Sequence, residues 1–503
     1  MTLSVGSTAA TGSISSAGIG SGLDVNAIIS SLMSVESQPL TLLQNKAQTV
    51  TTEISAVGQI QSLTSTLGDK ADALASPTLW KQTTSSVADP TVVTADTSSG
   101  TAVPGDYSVT VQQMAQGQTV TTGTPMSSTA SLGTGTLTIQ LGTWTAGSAG
   151  PPATPPSFAS PTNATPIPPI TIGPGDTSLS AVKDKINAAN AGVTASIISD
   201  ANGSRLSLRS TATGLASGFK ISALPDDPNA DPTSSLAMLN YDPTSPGSQM
   251  GLNQSATNAL ATVNGIAVES ASNKLSNISD GLSLTLLKVS ASPVDVSVSI
   301  DTASMQKAIT DFVSAYSALN ANIHNATKYD SSTAVAAGTS RTDGPLEGDP
   351  SIIGFQNQLR GIINTTSTTS SMYARLSDIG ISIQADGSLS TNTTKLTAAM
   401  AHPDELAKLF STQGMTNADT GIAVRFSNLA NAAMLPDGSL ASRTSGLQGE
   451  LSRNGKQQED MQTHLDATQA RLTAQYQALD TTMASMTALG SYVSQQVTMM
   501  EKA

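Results

Sequence analysis

The stretch "GIGSGLDVNAIISSLMSVESQPL", Gly18–Leu40, turns from a glycine-rich loop into an apolar-periodic helix within a few residues. Asp24 is placed as the N-cap, since its carboxylate can accept a first-turn N–H. Leu23 and Ile28 stand at hydrophobic-staple spacing. Ile28, Ile29, Leu32 and Met33 form one stripe. Pro39 has no N–H to give, so this helix should end near Ser37 and a second should begin with the proline in its first turn. Leu40, Leu43, Ala47, Val50, Ile54 and Val57 then alternate by three and four, a coiled-coil rhythm. It loosens through Leu63, Leu67 and Leu74 and stops before Pro77.

The opposite end carries a matching signal. Leu451, Leu465, Leu472, Leu479, Met486, Val493 and Met500 fall on one seven-residue lattice, with Gln458 its polar member. Met483 and Leu489 widen that seam. Helical periodicity also runs through Met305, Ile309, Phe312, Tyr316, Leu319 and Ile323, and "HPDELAKLF" starts a short helix at Pro403.

Between the helical ends the period changes to two. Tyr107, Val109 and Val111 share a face, as do Leu137, Ile139 and Leu141. The segment 178–210 reads as a helix, a strand, a turn at Asn202-Gly203 and a strand. "ATVNGIAVES", "GLSLTLLKVS" and "PVDVSVSI" supply further strands up to Ile300, and "GISIQADGSLS" is a later hairpin turning at Asp386-Gly387. The prolines from Pro151 to Pro174 read as an exposed loop without its own core. The fold class expected is therefore α+β and multidomain. Residues 1–38 and 455–503 form a terminal coiled-coil region, and 39–80 with 301–454 a mainly helical domain. Residues 81–130 with 255–300 form a β domain, and 131–254 an outer, variable β domain. Short helices of this kind are marginal alone, so the two ends should pack together or on other subunits while the β region projects outward.

Composition narrows the function. The 503 residues carry 23 Lys and Arg against 36 Asp and Glu, a net charge of −13, which argues against nucleic acid or anionic membrane as main partner. The absence of cysteine excludes disulfides and thiol chemistry. No Lys, Arg or His precedes Lys46, so residues 1–20 lack the positive n-region of a secretory signal. No run reaches the ~18 apolar residues of a membrane helix. "GIGSG" lacks dinucleotide spacing, His324, His402 and His464 have no metal spacing, and Asp226, Asp227 and Asp231 read as solvated loop acids. No catalytic, cofactor-binding or metal residue is nominated, and no enzyme is expected.

The quoted opening resembles the N-terminal signature of the flagellar filament cap family, also called hook-associated protein 2. "PGDYSVTVQQMAQGQ" (104–118) is similar to that family's first β segment. "ATVNGIAVESASNKLSNISDGLSLTL" resembles a repeat shared with flagellins and hook proteins, and 178–210 is similar to a second such unit. "DIGISIQADGSLSTNTTKLTAAMAHPDELAKLF" and "LDTTMASMTALGSYVSQQV" resemble the family's C-terminal region. Residues 119–175 and 224–254 carry no resemblance. The resemblance implies a ring of roughly four to six subunits at the extracellular tip of the bacterial flagellum. Such a ring retains exported flagellin and promotes its insertion. Export would use the flagellar apparatus without a cleaved signal, and the expected partners are flagellin, hook–filament junction proteins and an export chaperone. The candidate assembly interface is Ile28, Ile29, Leu32, Leu472, Leu479, Met486, Val493 and Met500. Three readings compete with it. A heptad stripe also serves an intramolecular bundle. A flagellin-like filament subunit is disfavoured by the "DGSL" C-terminal block. A surface adhesin would bind a host glycan or protein through the outer β domains.

Overall fold

A computed structural model describes residues 24–97, 102–148, 154–161, 167–329 and 343–501. Residues 1–23, the first part of the expected terminal region, lie outside these, as does Leu23 of the staple. The chain opens with α1 (Val25–Glu36) and α2 (Gln38–Ala75). Strands β1 (Thr83–Val87), β2 (Val93–Asp96), β3 (Gly105–Gln113), β4 (Thr119–Thr122), β5 (Gly135–Thr145), β6 (Ser157–Ala159) and β7 (Ile170–Ile172) lead to α3 (Leu179–Ala188). They are followed by β8 (Val193–Asp200), β9 (Gly203–Ser210), β10 (Gly218–Pro225), β11 (Met250–Gln254), β12 (Ala259–Val263), β13 (Ile266–Ser270), β14 (Lys274–Ser279), β15 (Leu282–Leu286) and β16 (Val294–Ile300). Helices α4 (Thr302–Thr327) and α5 (Pro350–Asn364), the hairpin β17 (Ile381–Ile383) and β18 (Leu389–Thr391), and helices α6 (Thr393–Ala399), α7 (Pro403–Ser411), α8 (Ile422–Met434) and α9 (Ser439–Glu501) complete it. The fold is α+β, with helical ends around a β-rich middle, as the sequence pattern predicts. It divides into a helical unit, Met1–Trp80 with Ser304–Ala503, and a β unit, Lys81–Ala303.

In the helical unit the local signals act as read. The Asp24 carboxylate accepts the Ala27 N–H at 2.9 Å, and α2 starts with a proline in its first turn. Val50, Val57, Ile60, Leu67, Ala71 and Leu74 of α2 are buried, as are all six periodic residues read in α4. The helix at the centre, α8, has no counterpart in the sequence reading. Ile422–Ser427, Ala430 and Ala433 are all buried, while Asn428 and Asn431 are exposed; Arg425 and Ser427 within the buried set break up the apolar stripe that a periodicity search looks for. It fits because α2 offers Gly68: a Cβ there would stand 3.2 Å from the Ala430 Cβ. Phe426 meets Phe312 and Tyr316 edge-on, at 5.1 and 5.9 Å between ring centroids. Trp80 stacks on Phe410 of α7 and donates its indole N–H to the Leu74 carbonyl.

The β unit holds two apolar cores. The first lies under the antiparallel sheet β1-β16-β3-β12-β13 and the three strands β14-β15-β2, and includes Val109, Val111, Leu284 and Val296. Its entry and exit strands are partners: β1 pairs with β16 from Thr83↔Ile300 to Val87↔Val296. Asn264 and Gly265, both with positive φ, turn β12 into β13 as an Asn-Gly pair should. The second core lies between β10-β5-β6, with β7 also on β5, and β11-β4-β9-β8, with α3 packed against them. Two expectations are corrected here. The proline segment is not wholly a loop, because β6 and β7 both pair with β5 and Ile170 and Ile172 are buried. Prolines flanking short edge strands are compatible with pairing. The border drawn at residue 130 also shifts. β4 pairs with β9 and β11, and Val120 lies in the second core.

One carboxylate in the helical unit reports on its stability. Glu405 of α7 takes the Lys408 ammonium at 2.8 Å, and its other oxygen accepts from the Ser370 hydroxyl and the Ser371 N–H. These bonds, Lys408's first, hold its carboxyl from the ordinary 4.5 down to about 2. Its stabilising effect is thus complete above pH 4.5 and is lost as the pH falls toward 2. In a Trp144→Phe background, Trp80 alone reports the helical unit. Urea midpoints followed through it should fall between about pH 4.5 and pH 2, and Glu405→Gln should flatten that fall.

Candidate assembly interface

The long helix α9 pairs with the start of the chain. Arg443 Nη2 meets Glu53 at 3.2 Å, Lys46 meets Glu450 at 2.9 Å, and the Gln458 amide reaches the Leu43 carbonyl at 3.5 Å. Residue numbers fall along α2 as they rise along α9, so the helices are antiparallel. Equal rise on both carries this register to the start of α1 at about Leu472, and α1 does pack on α9. An ion pair as open to water as Lys46–Glu450 adds little stability, so such pairs set register while apolar burial holds the helices together. The Glu53 carboxyl is pushed up by its burial, with Arg443 opposing that shift.

The face that α9 uses changes along its length. From Leu447 the packed positions are Leu447, Leu451, Asn454, Gln458, Met461, Leu465 and Thr468, in steps of four and three. Leu447, Asn454, Leu465 and Thr468 are buried, and the others half-buried. The next two steps, to Leu472 and Tyr476, are both of four. That is a stutter, which locally unwinds a coiled-coil seam. A new seam continues through Leu479, Met483, Met486, Gly490, Val493, Val497 and Met500. Here Leu479 is 45% exposed, Met486 68%, Val493 52% and Met500 71%.

The eight nominated residues thus divide. Ile29 is buried, and Ile28 and Leu472 are half-buried. Leu32, Leu479, Met486, Val493 and Met500 are exposed. The nomination leaves out Tyr476 and Val497 of the downstream seam and the buried polar residues Asn454 and Thr468 of the upstream one. Asn454 and Thr468 interrupt the upstream seam, and Gly490 the downstream one, in a search for apolar repeats. The early part of α9, from Ser439, was also missed, although Leu440 and Leu447 are buried there.

Asp226, Asp227 and Asp231 are exposed, and the Asp231 carboxyl is held low by the Thr233 N–H and hydroxyl, the opposite of a general acid. Among the described residues no cluster of His, Cys, Asp or Glu has the arrangement of a metal site, and no helix is long and apolar enough to cross a membrane.

Comparison with known proteins follows this geometry. The model for the flagellar hook-associated protein 2 N-terminus matches residues 21–118, and that for its C-terminus 256–488. The flagellin hook IN motif matches 171–212, which spans β7, α3, β8 and β9. Flagellar hook-associated protein 2 of Escherichia coli K12 is 32% identical over 490 residues, covering 96% of this chain and 98% of that protein. The B-type protein of Pseudomonas aeruginosa is 29% identical over 483 residues, 94% of this chain and 95% of its own. A crystal structure of the D1-D2-D3 domains of the flagellar cap protein from Escherichia coli superposes with a TM-score of 0.61 at 30% identity. It covers 78% of this chain and 99% of that one. The chain belongs to the flagellar hook-associated protein 2 family, the family of the flagellar filament cap.

Arg443 is the residue on which the α2–α9 register turns, because it also meets the Asp349 carboxylate, which caps α5 and is nearly fully buried. Arg443→Met would leave two acids without their cation. The loss should lie between that of an exposed and a buried pair, about 2 kcal/mol. Urea unfolding followed through Trp80 measures it, and an unchanged midpoint would contradict this role.

Proposed function

We propose that this chain is an oligomeric filament cap that works at the extracellular tip of the flagellum. There it retains exported flagellin and promotes its folding and insertion. The observation that supports this reading best is the stutter in α9. Upstream of Leu472 the seam is satisfied by the chain's own α1 and α2. Downstream, a re-phased seam of Leu479, Met486, Val493 and Met500 is apolar and open. Each such side chain contributes roughly 1.5–3 kcal/mol when fully buried, so several together suit a contact with neighbouring subunits. Leu32, exposed on α1, adds to this surface from the other terminus, while Ile29 is buried and Ile28 half-buried. Hook–filament junction proteins and an export chaperone are the further partners this reading carries. No observation favours an adhesin or a filament subunit over it.

The test replaces Leu479, Met486 and Val493 together with Asp. The variant should be exported and fold, because none of the three is buried in the chain's own core. Cells carrying only this variant should keep hooks, lack long filaments and release unpolymerised flagellin into the medium. Filament length by electron microscopy and flagellin in the supernatant are the readouts. Normal filaments at wild-type expression would overturn the assignment of this seam.

A further inference from the structure

Ile28, Leu32, Val35, Pro39 and Leu42 follow one another in steps of four, three, four and three. They straddle the junction of α1 and α2. Ser37 keeps right-handed helical angles there, φ −80° and ψ −11°, so the row runs on across it. At 3.6 residues per turn its members fall within a band of about 80°. The adjoining face, with Val25 and Ile29, is buried, and α1 packs on α9. The row itself lies open: Leu32 is 41% exposed, Val35 61% and Leu42 68%. A contiguous exposed apolar row marks a contact surface.

Charge sorts the partners such a row can take. Between Val25 and Asn45 the one charged residue is Glu36. α9 changes in the same respect where its seam is re-phased. Its stretch from Arg443 to Arg471 holds eight charged residues, among them the partners of Glu53 and Lys46. The stretch from Leu472 to Met500 holds one, Asp480. The centres of protein contacts are depleted in charge, so the downstream seam suits the α1–α2 row and the charged upstream half of α9 does not. Rhythm agrees, since the seam from Leu479 to Met500 also steps by four and three. That seam is about 32 Å long and the row about 21 Å, so one can cover the other. Within one chain they do not meet. The start of α1 lies level with about Leu472, and α9 continues past it as one helix to Glu501.

An apolar surface and its complement at different places on one chain join copies head to tail. We propose that the α9 seam of one copy docks on the Ile28–Leu42 row of the next. This rests on the reading of that seam as a subunit contact, and it names the surface that receives it.

The chain has no cysteine, so single cysteines can report the pairing in the full chain. Val35→Cys chains, tagged for size, should be mixed with Leu479→Cys, Met486→Cys or Val493→Cys chains and oxidised. At least one mixture should give a disulfide-linked mixed dimer, and Ser34→Cys, on a different face of α1, should not. In sedimentation at rising concentration, Val35→Asp and Leu42→Asp should each weaken self-association roughly tenfold. Both sites are exposed, so the urea midpoint read through Trp80 in dilute solution should stay unchanged. Met486→Cys linking only to itself would mean that α9 pairs with α9, and would overturn the proposal. So would association indifferent to Val35→Asp and Leu42→Asp, with no mixed dimer. In either case Leu479→Asp tells the two readings apart. Weakened association keeps the seam as a subunit contact and removes only its receptor, and unchanged association removes both.

Discussion

The helical unit rests on the close approach of α2 to α8. Gly68 lets the backbone of one helix come within a methyl's reach of Ala430 on the other. The face of α8 that carries Ile422, Phe426, Ala430 and Ala433 is buried and has to be enclosed, while Asn428 and Asn431 face solvent. That enclosure draws on residues far apart in sequence: α2 near the start, α4 and α5 after the β unit, α9 at the end. The core of this unit therefore forms only when the two ends of the chain meet.

The same requirement explains why α9 is not uniform. Its first half, from Leu440 to Thr468, closes the core together with α2 and α1. Once α1 has begun, the chain has no described residue left to cover a continuing seam, and at this point the lattice is re-phased. The seven-residue repeat of leucine and methionine persists across the change, so one sequence signal serves two different faces.

This is why the sequence was legible in part. The Asp24 cap, the proline break at Pro39, the α4 stripe and the hairpin at Asp386-Gly387 depend on neighbours a few residues away, and they were readable; the β8–β9 hairpin was read too, although its turn falls at Ala201-Asn202, one residue before the Asn202-Gly203 expected. The β7 strand, the core helix α8 and the early turns of α9 depend on distant partners, and they were not. Ile170 and Ile172 were masked by prolines, whose effect is local, while their burial under β5 is not. The interface list shows the same division. Its apolar lattice members could be listed, but which ones their own chain would cover could not. Arg425 gave no signal at all, because a lone arginine among apolar residues reads as a surface residue until the fold encloses it.

The pairing of β1 with β16 has a consequence for how such a chain can diversify. The β unit leaves and rejoins the helices through two hydrogen-bonded neighbours, Thr83 and Ile300. To the helices, everything between is equivalent to a short link, since added loop length costs only slowly growing entropy. The family models leave 119–170 and 213–255 uncovered, and these residues contribute much of the second core, remote in pairing from that clip. A change of length within these residues would therefore leave the helices the same pair of attachment points, as a fixed socket accepts different fittings.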